Sequence, residues 1–122
     1  MGRAELQQLL LTNVAEIKFR RRVVDEFKPP YRRMLCTNSE DILKSINGRI
    51  SLNYRDAKQS IKFDPVAENI VITWDILMQD YRSVSMDDCQ LVNKWAEKEF
   101  WQHFNETFYP MSPGDKLLFM NT

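Results

Sequence analysis

Val14-Ala15-Glu16-Ile17-Lys18-Phe19-Arg20-Arg21 alternates apolar with charged residues from Ala15 to Arg20. Ala15, Ile17 and Phe19 fall on one side of an extended chain, and Glu16, Lys18 and Arg20 on the other. Successive side chains of a strand point to opposite faces, whereas a helix needs apolar residues three and four apart. The segment therefore predicts a half-buried strand whose wet face is basic.

Working outward, Arg3 to Leu11 reads as a short helix, because Leu6, Leu9 and Leu10 repeat at helical spacing. Downstream, the loop Asp25 to Pro30 closes on Pro29-Pro30, which resists both helix and ladder pairing. Tyr31 to Thr37 then predicts a second strand, with Met34 and Cys36 toward the core and Arg33 and Leu35 opposite, paired with the first as a wide hairpin. Thr37-Asn38-Ser39 followed by Glu40-Asp41 is a helix start: capping side chains, then acids in the first turn. The helix spans Glu40 to Ile46, and Asn47-Gly48 stops it.

Arg49 to Tyr54 and Ser60 to Phe63 are further strand candidates, and a turn follows at Asp64 to Asn69. Asn69 to Asp75 carries apolar residues on both faces, which places that strand in the sheet interior. Met78-Gln79-Asp80 turns the chain and Tyr81 to Ser85 returns it, before a further turn at Met86-Asp87-Asp88. From Leu91 to Tyr109 the spacing predicts one long helix, with Val92, Trp95, Phe100, Trp101, Phe104, Phe108 and Tyr109 on its apolar side. Pro110 ends it, and the tail 110–122, with Leu117-Leu118-Phe119-Met120, either docks on the core or awaits a partner. The expectation is a single domain over 1–122: a core at 13–90, a helix at 91–109 and a tail at 110–122. Its class is α+β with a mainly β core, a small, strongly bent antiparallel sheet or barrel between a short N-terminal helix and a long aromatic C-terminal one.

At 122 residues and 43% hydrophobic content, the chain carries enough apolar surface for one core. Net charge is zero but unevenly spread: residues 1–33 hold eight Lys/Arg against four Asp/Glu, and residues 64–122 hold four against ten. The halves either attract each other within the fold or leave a basic face for a partner. No apolar run nears the ~18 residues that span a bilayer, and the first residues lack a signal-peptide core, so a cytoplasmic location is expected. Cys36 and Cys89 read as buried free thiols.

Three segments together resemble a known family. They are Asn13-Val14-Ala15-Glu16-Ile17-Lys18-Phe19, then Arg33-Met34-Leu35-Cys36-Thr37-Asn38, then Ile72-Thr73-Trp74-Asp75 with Tyr81-Arg82-Ser83-Val84 beyond a turn. Their order is similar to that in small proteins of tailed phages, including phages of cyanobacteria, described as Sm-like or SH3-like barrels and loosely named after the WYL domain. The likeness covers residues 13 to 90. Tyr81 departs from it, standing where that family usually has Trp, and nothing after residue 90 belongs to the pattern. The resemblance implies the barrel and a phage setting but no defined activity. In physical terms, Trp74 and Tyr81 are placed to pack across the hairpin, with Arg82 in reach of Asp75.

Catalytic signatures are missing from the sequence. The three glycines, Gly2, Gly48 and Gly114, form no phosphate loop, and His103 has no evident partner. Two Cys and one His without tight spacing make no zinc site, so neither metal nor cofactor is expected, and no enzyme. The best candidate site is basic. Lys18, Arg20 and Arg22 share one parity, Arg21 lies among them, Arg33 comes from the paired strand, and Lys28 and Arg32 from the loop. Tyr31 offers a stacking ring beside them. Such a strip either neutralises phosphates of DNA or RNA or forms a solvated edge that discourages aggregation. The alternative is a protein-interaction module, an adaptor for a host factor or a virion component. It would use Trp95, Phe100, Trp101, Phe104, Phe108, Leu118 and Phe119 against a protein or a second copy.

Overall fold

The computed structural model describes residues 1–21, 26–46 and 69–121. The strand candidates at 49–54 and 60–63, the helix stop at Asn47-Gly48 and the basic residue Arg22 lie outside the described residues.

The chain starts with α1 (Arg3–Leu10), whose Leu6 and Leu10 are completely buried. Burying two leucines is worth about 3–6 kcal/mol in area terms, enough to dock a helix this short. Strands β1 (Asn13–Arg20) and β2 (Tyr31–Thr37) form the predicted hairpin, with Ile17 opposite Met34 and Ala15 opposite Cys36. Helix α2 (Glu40–Ile46) opens as predicted: the Ser39 hydroxyl accepts from the Ile42 N–H at 3.4 Å, and the Thr37 hydroxyl accepts from the Ser39 N–H at 3.1 Å. β3 (Ile70–Asp75) and β4 (Asp80–Ser85) form the second hairpin.

These strands, with β5 (Gln90–Ala96), make one five-stranded antiparallel sheet in the order β4-β3-β2-β1-β5. Its bend has a visible cause. The β2–β3 ladder holds only at Cys36–Asp75 and Thr37–Trp74, and beyond it the two hairpins diverge. The β3–β4 hairpin then folds back until β4 touches β1 across the sheet. Val71 and Val84 meet Ile17, Met34 and Cys36 inside the fold, and α1 closes the side with Leu6 and Leu10. No ladder joins β4 to β5 among the described residues.

The other face of the sheet carries a second core. Val14, Leu35 and Trp74 meet Ile42 and Leu43 of α2, together with Phe100 and Phe108 from the C-terminal region. Leu35 was expected to face away from the core; it faces this second one instead. The sheet is covered on both sides, so both parities of β1 and β2 are largely buried.

The long helix expected from Leu91 requires correction. Residues 90–96 pair with β1, and α3 begins only at Glu97 and runs to His103. Leu91 lies opposite Ile17, Asn93 opposite Glu16 and Trp95 opposite Val14, which leaves Val92 as an extra residue in a β-bulge. A bulge breaks the alternation. Leu91 therefore packs into the inner core and Trp95 into the outer one, although both are odd-numbered. Their spacing of four imitates a helix. After α3 the chain widens into a single π-helical turn, Phe104–Phe108, where the Tyr109 N–H reaches the Phe104 carbonyl at 2.8 Å. The tail is also helical. α4 (Pro113–Met120) starts at a capping box between Ser112 and Asp115 and lies against β2.

Candidate nucleic-acid interface

The β1–β2 register decides which basic residues share a face. Lys18 is opposite Arg33 and Arg20 is opposite Tyr31, all on the outer side of the hairpin. Directly opposed side chains in an antiparallel pair stand about 5 Å apart, and successive same-face rows about 7 Å. The Lys18 ammonium sits 6.0 Å from the centre of the Tyr31 ring. Arg20 is exposed, Lys28 is exposed in the loop, and Arg21 is half-buried at the loop end of the hairpin. Five of the predicted cations, Lys18, Arg20, Arg21, Lys28 and Arg33, therefore gather around one end of β1–β2, with Tyr31 among them.

Arg32 does not belong to this group, and its assignment is corrected. It lies opposite Phe19 on the inner face, where its guanidinium sits 6.0 Å from the Phe19 ring and pairs with the Asp75 carboxylate. Both side chains are almost wholly buried. Burial lowers the Arg32 pKa and raises that of Asp75, and in each case the partner's charge opposes the shift. A phosphate cannot reach Arg32 without opening the core. The expected Arg82–Asp75 contact is replaced by a pair within one strand, Arg82 Nη1 to Asp80 Oδ2 at 2.6 Å.

Acids within the site trim its charge. Arg33 Nη1 donates to Glu16 Oε2 at 3.3 Å. Glu16 was visible in the sequence, since it shares parity with Lys18. The Tyr31 hydroxyl donates to the Asp88 carboxylate, and this bond, helped by the nearby negative charge, raises the Tyr31 pKa. Asp88 sits at φ 68°, a left-handed conformation that Asp tolerates better than most residues. The sequence carried no signal for this contact, because 57 residues separate the partners. Helix α4 was not predicted either, although Ser112-Pro113-Gly114-Asp115 carries a helix start in the sequence, a capping box with Pro at the first helical position. Arg21 Nη2 donates to Asn121 Oδ1 at 2.6 Å, and the Phe119 ring lies 5.9 Å from the Arg33 guanidinium.

The residues proposed for protein contact divide differently. Phe100 and Phe108 are core and unavailable at the surface, a correction to their assignment. Trp95 stacks on His103 at 4.9 Å, and Trp101 meets Phe104 edge-on at 5.7 Å. Phe119 packs edge-on against Phe108 at 5.5 Å. Leu118 and Tyr109 are exposed, at 67% and 76%. A groove of about 360 Å³ runs between Ile76 and Leu77 on one side and Trp101, Phe104 and Tyr109 on the other.

Trp74 and Tyr81 pair directly across the β3–β4 hairpin, edge-on at 4.8 Å. Cys36 and Cys89 are buried free thiols. Among the described residues no group of three or more His, Cys, Asp or Glu is placed to hold a metal ion. Nor is any described helix long and apolar enough to cross a membrane. No family model, curated protein or solved structure matches the chain.

Proposed function

We propose that this chain is a non-enzymatic accessory or regulatory protein that binds nucleic acid through the outer face of its β1–β2 hairpin. One observation carries the reading: the register sets Lys18 beside Arg33 and Arg20 beside Tyr31, a cationic strip around an aromatic ring. Strand-borne cations follow a phosphate backbone, and a ring beside them stacks on an unpaired base. Single-stranded DNA or RNA is the favoured ligand. The resemblance to small phage barrels extends the proposal to a phage protein acting in the cytoplasm of an infected host.

A fluorescence-anisotropy titration against single-stranded DNA, single-stranded RNA and duplex DNA at two salt concentrations tests it. Three engaged cations, Lys18, Arg20 and Lys28, give a salt slope of about −2.1 on a single strand, so affinity falls roughly 20-fold between 50 and 200 mM salt. Exchange of Lys18, Arg20 and Lys28 for Gln should remove most of that slope. Binding that ignores both salt and these exchanges would end the proposal.

A second reading, a protein-interaction module, has the exposed Tyr109, Leu117 and Leu118 in its favour. Self-association abolished by Leu117→Ser with Leu118→Ser, with no nucleic-acid binding at low salt, would favour it.

A further inference from the structure

We propose that α4 is a detachable strap that masks part of the cationic face and limits the access of phosphate-bearing ligands. The inference rests on the nucleic-acid reading and adds a regulatory element to it. Two contacts from the end of the chain fall on two of the five clustered cations. Asn121 takes a hydrogen bond from Arg21, 100 residues earlier in sequence. Phe119 lies between the Arg33 guanidinium at 5.9 Å and the Phe108 ring at 5.5 Å. Arg20 and Lys28 remain exposed, so the covered face keeps a partial site.

The hold of α4 is light compared with that of the other elements. None of its eight residues is buried, and Leu117 and Leu118 are 56% and 67% exposed. By contrast, α1 has the same length and buries two leucines completely. α4 is therefore attached at its far end by Phe119 and Asn121, and at its near end by the chain turning through Ser112. Local opening draws on elements with few buried apolar contacts, and among the described helices α4 fits that description best. A phosphate chain that takes Arg21 and Arg33 must displace Asn121 and Phe119, so strap and ligand compete for the same donors.

The test keeps the full chain and loosens the strap with Phe119→Ala and Asn121→Ala together. Arginine modification by phenylglyoxal, mapped by mass spectrometry, reads the strap without nucleic acid. In the parent, Arg20 reacts fast, Arg21 and Arg33 slowly, and the buried Arg32 not at all. In the variant, Arg21 and Arg33 react faster than in the parent, still slowed by the Pro29 carbonyl and by Glu16, while Arg32 stays protected, which also shows that the core remains folded. Titration with single-stranded DNA then reads the consequence: two further cations steepen the salt slope by about 1.4 and tighten binding at low salt by tens of fold or so. Equal reactivity of Arg20, Arg21 and Arg33 in the parent would overturn the strap. So would a variant that binds DNA more weakly, since α4 would then be part of the site. Faster Arg21 and Arg33 with no DNA binding by either protein would uphold the strap as a cover and reject the nucleic-acid reading alone.

Discussion

Arg32 and Asp75 stand 43 residues apart in sequence and share one ion pair inside the fold. The other carboxylate oxygen of Asp75 accepts the Met78 N–H at 3.1 Å, so one side chain ties β2, β3 and the β3–β4 turn together. The pair sits beside Cys36, where β2 and β3 still touch before they diverge. It pins the sheet at its bend, and that role takes Arg32 out of the basic surface.

Removing one partner should hurt far more than removing both. Arg32→Met leaves a carboxylate buried without its cation, which costs about 3–5 kcal/mol at neutral pH. The double exchange Arg32→Met with Asp75→Leu removes both desolvated charges and should recover most of that loss. The single variant also has a predictable pH dependence. Asp75 already titrates above its ordinary 3.8 because of burial, and loss of Arg32 raises it further. With the folded pKa above the unfolded one, the folded state holds the proton more tightly. Stability therefore falls as pH rises through the folded value, and the deficit of Arg32→Met shrinks in acid. Urea melts at several pH values measure this, and a deficit that grows in acid would contradict it.

Tyr31 should be a late-titrating tyrosine. Its hydroxyl is bonded to the Asp88 carboxylate, which holds the phenol proton and raises its pKa above the ordinary 10.0. A raised folded pKa means that this bond stabilises the fold below pH 10 and is lost as pH climbs through the folded value. Asp88→Asn should bring the Tyr31 transition back toward the ordinary range, and Tyr31→Phe should remove one component that titrates above pH 10 from an ultraviolet tyrosinate titration. An absorbance change above pH 10 that Tyr31→Phe leaves undiminished would contradict the assignment.

The thiols should resist modification, Cys36 most of all. Cys36 is completely buried among Ile17, Met34 and Val71, and burial pushes its pKa far above the ordinary thiol range. Thiolate is the reactive form, so this group should stay unmodified until the core opens. Cys89 is shifted in the same direction but lies just before β5, beside an exposed turn. Iodoacetamide labelling across a urea series should mark Cys89 before Cys36. Simultaneous labelling without denaturant would refute this order.

Much of the fold was legible because short-range rules governed it. The alternation of Ala15, Ile17 and Phe19, the Ser39 start of α2 and the Trp74–Tyr81 hairpin all rest on neighbours or near-neighbours in sequence. The site was legible only in part. Parity gives Lys18 and Arg20 a common face, and the same rule, with Met34 and Cys36 inward on the predicted strand, puts Arg32 inward too; reading Arg32 as a loop cation set that rule aside. Tyr31 is the first residue of β2, so Arg32 takes inner parity with Met34 and Cys36. The contacts of Asp88 with Tyr31 and of Asn121 with Arg21 join distant segments, and no local pattern announces them.

The β5 bulge explains the largest misreading and yields a prediction that runs against intuition. Val92 is the extra residue: Leu91 pairs with Ile17 and Asn93 with Glu16, and nothing on β1 faces Val92. Its side chain is 39% exposed. Deleting Val92 closes the bulge into a regular ladder, and Leu91 still reaches Ile17 while Trp95 still reaches Val14. Both cores keep their residues, so the deletion should cost about 1 kcal/mol or less, in line with surface changes that disturb no buried group. Inserting a residue after Val92 does the opposite. The ladder must then absorb two extra residues, and either Leu91 or Trp95 leaves its core, at about 1.5–3 kcal/mol for the lost burial. Paired urea melts of the deletion and the insertion settle the matter. A deletion as damaging as the insertion would mean that the bulge itself, through the added twist it gives the β1–β5 edge, holds the sheet in its bent form.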